Sequence, residues 1–129
     1  MLISGILNPG INSLLARVRH TNTLVIADRG FPYFPMIETI DISLVNDVPR
    51  VREVLAAVRQ NFVAGRVWMA EEFWSANDDA TIGEMESALG GIPLEIELHS
   101  ALKKRVPHAI GLIRTGDTIQ YSNLILASA

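Results

Sequence analysis

Two hydrophobic patterns alternate along the chain, and each predicts one kind of secondary structure. Apolar side chains recur at helical spacing in three segments, 11–18, 51–62 and 82–89. Short continuous apolar runs, typical of strands buried on both faces, occur at 24–27, 67–70, 109–113 and 124–126. The alternation predicts an α/β domain whose sheet is mostly parallel, with helices on both faces.

Turn and capping residues predict where these elements begin and end. Asn8-Pro9-Gly10 should start the first helix, which we expect to end near Arg19-His20. Asn46-Asp47-Val48-Pro49 should start the second helix, and Gly65 should end it. Asn77 or Asp78 should cap the third helix, with Gly90-Gly91 as its end.

The remaining segments are shorter. Strict alternation over 94–98 predicts a strand with one wet face, and 38–42 can be a short strand. His99-Ser100 should open a short helix through Arg105. The acidic and aromatic segment 71–76 is expected to be a loop, with Glu71 and Glu72 solvated.

Composition narrows the class of protein. The 129 residues are 49% hydrophobic, with no repeat and no linker, so we expect one domain over residues 1–129. The absence of cysteine excludes disulfides, thiolate nucleophiles and cysteine-ligated zinc. A net charge of -3 without a basic block gives no support for a nucleic-acid surface.

The length of the apolar runs indicates the compartment in which the protein works. No apolar run approaches the roughly 18 residues of a transmembrane helix, and the first residues lack the charged region of a signal peptide. We therefore expect a cytoplasmic protein that does not bind membranes. Small polar molecules and other protein chains remain as the expected partners.

Polar residues follow the predicted strands at the positions where open α/β sheets bind ligands. They are Asp28, Glu71-Glu72, His99 and the turn Arg114-Thr115-Gly116-Asp117. No GxGxxG, GxxxxGK[ST] or GxSxG motif is present, so nucleotide binding and serine hydrolase chemistry lose their usual support.

The stretch from His20 to Asp28 places an imidazole and a carboxylate at the two ends of one strand. Eight residues of extended chain would hold them too far apart to touch. If the chain turns at Thr21-Asn22, His20 can fold back over the sheet edge where Asp28 emerges. We expect the two groups to face one pocket.

An imidazole, several carboxylates, Tyr121, Asn123 and Lys103 suit proton transfer on a polyhydroxy compound. Opening the hemiacetal ring of a sugar removes one proton from the anomeric hydroxyl and delivers one to the ring oxygen. Neither step needs a metal or an organic cofactor.

Six segments, in this order and spacing, resemble the ribose pyranase and fucose mutarotase family nearly end to end. They are Gly5-Ile6-Leu7-Asn8, Leu14-Leu15-Ala16, His20-Thr21, Val25-Ile26-Ala27-Asp28-x-Gly30-x-Pro32, Ile113-Arg114-Thr115-Gly116 and Tyr121-x-Asn123-x-Ile125-Leu126. The resemblance implies a small cytoplasmic isomerase that interconverts the cyclic forms of a free monosaccharide, such as D-ribose or L-fucose, without a cofactor. It also implies an oligomeric ring, a pentamer or a decamer, with sites near subunit boundaries.

The resemblance also implies roles for individual residues. His20 would be the proton donor, and Asp28 would bind the sugar and orient the donor. His99 would bind the sugar, and Lys103, on the same helix face, could join it. Tyr121, Ser122 and Asn123 match the family's contact segment, in the same subunit or a neighbouring one.

Departures from the family leave the sugar open. Leu98-His99-Ser100 differs from the usual ribose-type segment, and Ser122 is the commonest residue of neither branch, although Arg114-Thr115-Gly116 favours ribose. One alternative is a non-catalytic sugar-binding or regulatory subunit. Another is a metal-dependent hydrolase that uses His20, His99 and Asp28 on zinc or manganese.

Overall fold

The computed structural model describes residues 1–129 and contains six strands and five α-helices. The strands are β1 (Thr23–Ala27), β2 (Glu38–Asp41), β3 (Ala64–Ala70), β4 (Leu94–Glu97), β5 (Gly111–Arg114) and β6 (Leu124–Ser128). The helices are α1 (Pro9–Arg17), α2 (Val51–Arg59), α3 (Glu71–Ala76), α4 (Asp79–Leu89) and α5 (His99–Arg105), with a 3-10 turn at Val106–His108. No helix combines the length and the apolar character needed to cross a membrane.

All six strands join one sheet in the order β2-β5-β1-β6-β3-β4. The pairs β2–β5, β5–β1 and β3–β4 are parallel, whereas β6 runs antiparallel to both β1 and β3. The prediction of a mostly parallel sheet is therefore confirmed. The reversal of β6 brings its first residues to the same edge of the sheet as the last residues of β1.

Helices cover both faces of the sheet, as predicted. On one face, α1, α2 and α4 bury residues such as Leu14, Leu55 and Met85 against β1, β3 and β6. On the other face, α5 and the turn that follows it bury Leu102 and Val106. Each face has its own apolar cluster, because alternate side chains of a strand point to opposite sides.

Several helix ends follow their predicted signals. The side chain of Asn8 accepts a hydrogen bond from Ile11 N at 2.9 Å and caps α1. Asp78 does the same for α4 through Thr81 N at 2.8 Å, and Gly90 ends that helix with a φ of 55°. Such caps satisfy amide groups that have no partner inside the helix.

Other boundaries differ from the predictions. Segment 71–76 is the helix α3 rather than a loop, because its first-turn acids suit the positive end of a helix and Phe73 is buried. The second helix begins at Val51 rather than at 46–49, with Arg50 N donating to the Glu53 carboxylate at 2.8 Å. Gly65 does not end this helix but lies inside β3.

Candidate active site

A cavity of about 290 Å³ opens at the edge of the sheet where β1 ends and β6 begins. Its lining consists of Asp28, Gly30, Phe31, Pro32, His99, Gln120, Tyr121 and Asn123. Four of the residues predicted from the sequence therefore meet in one chain. Tyr121 and Asn123 share the pocket with Asp28 of the same chain.

Asp28 and Asn123 hold each other through two hydrogen bonds. The main-chain N–H of Asp28 donates to Asn123 Oδ1 at 2.7 Å, and Asn123 Nδ2 donates to Asp28 Oδ2 at 3.1 Å. Gly30 N donates to the other carboxylate oxygen, Oδ1, at 3.0 Å. This double contact fixes both side chains at the base of the pocket.

The carboxyl of Asp28 is partly withdrawn from water. Burial raises the pKa of Asp28, although the hydrogen bond from Asn123 and the main-chain bonds from Gly30 and Phe31 oppose the rise. Burial favours the neutral form of an acid, whereas donors to the carboxylate favour the charged form. The group is thus a hydrogen-bond acceptor whose proton affinity is higher than that of a surface aspartate.

His99 stands between two aromatic rings at the start of α5. Its ring meets Phe31 edge-on with centroids 5.9 Å apart, and it meets Tyr121 edge-on at 5.1 Å. Burial lowers the pKa of His99, and the charge of Lys103 lowers it further. At neutral pH, His99 therefore offers the pocket a neutral imidazole, which can both donate and accept a hydrogen bond.

Glu72, which was expected to be solvated, instead supports the position of His99. Both oxygens of its carboxylate accept the main-chain N–H of His99, at 2.9 and 3.2 Å. The bond ties α3 to the first turn of α5 and so fixes where His99 enters the pocket. The available signal was its position, since Glu72 lies two residues after the end of β3, at the ligand-binding edge.

Tyr121 adopts a main-chain conformation that L-residues rarely use, with a φ of 56°. A non-glycine residue in this left-handed region costs about 1–2 kcal/mol. Tyrosine does not tolerate this conformation as glycine or asparagine does. The conformation nevertheless places the phenol ring against His99. Strained residues of this kind cluster at functional sites.

The structure also adds pocket residues that were not predicted. Gly30, Phe31, Pro32 and Gln120 line the cavity. Gln120 adjoins Tyr121, and the other three follow Asp28 by two to four residues. Phe31 is buried and stacks on Phe34 with ring centroids 5.7 Å apart. The sequence signal that could have found them was their closeness along the chain to Asp28 and Tyr121.

His20 lies far from the pocket within one chain. The first helix ends at Arg17, and His20 follows it in an exposed turn where Thr21 N donates to Ser128 O at 3.0 Å. This turn precedes β1, whereas Asp28 follows β1. The five-residue strand therefore holds the turn and Asp28 about 16 Å apart. The expectation that His20 folds back to Asp28 in the same chain is wrong, because the turn leads directly into β1.

Lys103 and Ser122 are near the pocket but do not line it. Lys103 is half-buried one turn after His99, close enough for its charge to act on the imidazole. Ser122 is fully buried, and its hydroxyl has no hydrogen-bond partner. Its side chain therefore does not face the cavity that Tyr121 and Asn123 share.

The metal-binding alternative required His20, His99 and Asp28 to meet. His20 is at the other end of β1, and no three histidine, aspartate or glutamate side chains of the chain are grouped so that they could hold an ion. One chain therefore does not form the ligand set considered from the sequence. What the pocket does offer is a carboxylate, an amide, an imidazole and a phenol beside an aromatic wall.

Comparison with known proteins gives this arrangement a context. The sequence profile of the RbsD / FucU transport protein family matches residues 1–129. The chain is 38% identical to a D-ribose pyranase of Geobacillus kaustophilus over 125 residues, 97% of this chain and 91% of the relative. It is 36% identical to a D-ribose pyranase of Bacillus licheniformis over 122 residues, 95% of this chain and 92% of the relative.

Solved structures agree with the sequence relatives. The Bacillus subtilis RbsD complexed with D-ribose superposes with a TM-score of 0.91 and 29% identity, covering 100% of this chain and 98% of that chain. The fucose mutarotase of Streptococcus pneumoniae, in complex with L-fucose, has a TM-score of 0.78 and 19% identity over 95% and 92% of the two chains, and it shows the shared fold alone. The family resemblance seen in the sequence is confirmed, and the chain belongs to the RbsD / FucU transport protein family.

Proposed function

We propose that the protein is a cofactor-independent isomerase that interconverts the cyclic forms of a free monosaccharide, with D-ribose as its substrate. The observation that carries the proposal is the meeting of Asp28, His99, Tyr121 and Asn123 in one small pocket. The D-ribose pyranases among its relatives, and the ribose-bound neighbour at 29% identity, support ribose. The fucose-bound neighbour, at 19% identity, supports only the fold.

The pocket suits a small polyhydroxy ring in size and in chemistry. A cavity of about 290 Å³ is at the lower end of the range for ligand sites. The carboxylate of Asp28 can accept from sugar hydroxyls, while Tyr121 and neutral His99 can each donate or accept. Phe31 can cover the apolar C–H face of the ring.

The reaction transfers protons within one sugar molecule. The anomeric hydroxyl loses its proton, the bond between C1 and the ring oxygen breaks, and that oxygen gains a proton, which gives the open-chain aldehyde. In ribose, attack on C1 by the 4-hydroxyl then closes a furanose, whereas attack by the 5-hydroxyl restores the pyranose. General acid-base groups accelerate such steps by about 10²- to 10⁴-fold.

Residue roles follow the family pattern within this proposal. His20 delivers the proton to the ring oxygen, and Asp28 binds the sugar and orients the donor. His99, Tyr121 and Asn123 bind hydroxyls, while Lys103 and Ser122 remain predicted contacts whose side chains lie outside the cavity lining. Because His20 and Asp28 occupy opposite ends of β1, we propose that a second copy of the chain supplies His20 in a ring-shaped homo-oligomer. A cytoplasmic location also stays a prediction.

Exchange NMR on D-ribose tests the function. Saturation of the pyranose anomeric signal should pass to the furanose signal faster with the protein than without it. The His20→Ala variant should lose this acceleration, whereas His108→Ala should keep it, because His108 is exposed and outside the pocket lining. Unchanged exchange for ribose, fucose and related sugars would overturn the proposal.

Calorimetry, combined with the exchange measurement, distinguishes an isomerase from a non-catalytic sugar-binding subunit. Calorimetry would then show saturable binding of ribose while the exchange rate stayed at its uncatalysed value. The protein would in that case use Asp28 and its neighbours as a receptor pocket without proton transfer.

A further inference from the structure

The guanidinium of Arg114 donates hydrogen bonds to main-chain carbonyls of the loop that follows β1. Its Nη1 lies 2.6 Å from Phe31 O and 3.3 Å from both Asp28 O and Arg29 O, and its Nη2 lies 3.2 Å from Pro32 O. The donors come from the last residue of β5, and every acceptor belongs to the segment 28–32. One guanidinium therefore fixes the path of the whole loop.

This loop forms half of the pocket lining. Asp28, Gly30, Phe31 and Pro32 line the cavity, and the ring of Phe31 meets His99 edge-on at 5.9 Å. A change in the loop would move the carboxylate of Asp28 and the wall beside His99 together. Arg114 itself does not line the cavity, so it reaches the site only through this loop.

Arg114 forms no close ion pair, although its charge helps to lower the pKa of Asp41, which lies beside it on β2. No acidic side chain lies within 4.0 Å of its guanidinium, in contrast to Arg17, Arg50, Arg52, Arg66 and Arg105, which all form ion pairs. Carbonyls that accept from an ionised donor make stronger hydrogen bonds than neutral pairs do. The planar fork of arginine presents five N–H donors in fixed directions, whereas the ammonium of lysine is a compact charge with three donors.

We propose that Arg114 is a positioning residue of the sugar site, and that it sets sugar affinity by holding the loop 28–32 against His99. The inference rests on the proposed function of the pocket. It adds a residue that touches neither the sugar nor the reacting protons. The role is distinct from general stabilisation of the fold, since its bonds converge on the pocket loop.

The test compares Arg114→Gln and Arg114→Lys with Arg59→Gln. Arg59 is a matched control, because its Nη1 also donates to a main-chain carbonyl, Ala88 O at 2.8 Å, but joins α2 to α4 away from the pocket. Arg114→Gln should weaken ribose binding at least about tenfold in calorimetry. Arg114→Lys should recover part of the loss, and Arg59→Gln should bind ribose as the wild type does.

Steady-state exchange at several ribose concentrations adds a second readout. The Arg114→Gln variant should show a raised KM with a much smaller change in kcat, because the residue acts on the pocket wall. A variant that lowers only the melting temperature and leaves KM and affinity at their wild-type values would overturn the proposal. Equal loss of affinity in Arg59→Gln would also overturn it.

A third readout needs no sugar and so separates this inference from the proposed function. In the wild type, Arg29 N donates to Asp117 O and Gly30 N to Asp28 Oδ1, both at 3.0 Å. Hydrogen exchange at these two amides should be faster in Arg114→Gln than in Arg59→Gln. Unchanged exchange there would overturn the inference even if ribose is the substrate. If the wild type binds no sugar, the proposed function fails, and the amide exchange alone decides whether Arg114 orders the loop.

Discussion

Lys103 lies one helical turn after His99 in α5, so the ammonium and the imidazole share one face of the helix. Burial and this neighbouring charge together hold the pKa of His99 below its ordinary value of 6.5. The contribution of His99 to stability is therefore fully present above pH 6.5 and is lost as the pH falls through its lowered folded pKa. This sign is the reverse of the one expected for a histidine that gains an acidic partner.

Removing the charge of Lys103 should move this titration. In Lys103→Gln, the pKa of His99 should rise towards 6.5 without reaching it, because burial, the larger cause, remains. NMR titration of the imidazole resonances from pH 4 to 8 measures the change. Lys104→Gln is the matched control, since Lys104 is exposed and is not among the groups that shift His99. An equal shift in both variants would show that the effect of Lys103 is not local.

The sequence predicts those site residues that lie next to the end of a strand. Asp28 comes directly after β1 and His99 two residues after β4, so the rule for α/β sheets finds both. Asn123 precedes β6, and its polar side chain and the family resemblance indicated it instead. The place of His20 was not predictable, because the family resemblance gives a role without a location. Glu72 and Arg114 were found at strand ends, but their roles were not predictable, because each acts through main-chain atoms, which no spacing of side chains reveals.

At the scale of elements, the start of α5 depends on α3. The carboxylate of Glu72 accepts the first main-chain N–H of α5, whose own capping position holds Leu98, a residue without a side-chain acceptor. Loss of a capping acceptor costs about 0.5–2 kcal/mol. Because the bonded N–H belongs to His99, the same loss should disturb the pocket.

Glu72→Ala should therefore lower both stability and sugar affinity. We expect the free energy of unfolding in urea to fall by about 1 kcal/mol, and ribose binding to weaken severalfold in calorimetry. Glu71→Ala is the control, since Glu71 is exposed on the same helix turn and makes no side-chain hydrogen bond. If Glu72→Ala unfolds at the same urea concentration as Glu71→Ala and binds ribose normally, Glu72 has no positioning role.

The errors in predicted elements have a common physical origin. Segment 71–76 reads as a loop because its six residues are too few to show a helical stripe, and packing of Phe73 decides its state. Asn46–Pro49 carries the residues of a helix start, yet the amide of Val51 is bonded by the Asp117 carboxylate at 2.9 Å. A partner 66 residues away cannot be read from local sequence. Longer periodic segments were predicted correctly, because their own patterns determine their faces.

At the scale of the whole molecule, one reversed strand assembles the site. β6 runs antiparallel between β1 and β3, so the segment 121–123 arrives beside Asp28 at the edge where β1 ends. Continuous apolar runs predicted strands but not this direction, since a strand buried on both faces reads alike in either direction. The same geometry places His20 at the opposite edge, near the last residues of β6.

A catalytic His20 in this fold must act in the pocket of another copy, and subunit mixing tests this consequence. His20→Ala and Asp28→Asn should each lack ribose exchange activity alone. If every site takes His20 from one subunit and Asp28 from its neighbour, random mixing should restore on the order of a quarter of the sites. Native mass spectrometry of the mixture confirms that subunits have exchanged.

The two arrangements give opposite results, because a site within one chain would keep its defect in every mixed assembly. If the mixture regains ribose exchange activity while neither variant alone is active, two chains must complete one site. If ribose exchange stays at the uncatalysed rate in fully mixed oligomers, His20 and Asp28 do not act together across subunits. His20 would then be an exposed turn residue, and the proton donor would have to come from the pocket itself, where neutral His99 and Tyr121 are the groups able to donate.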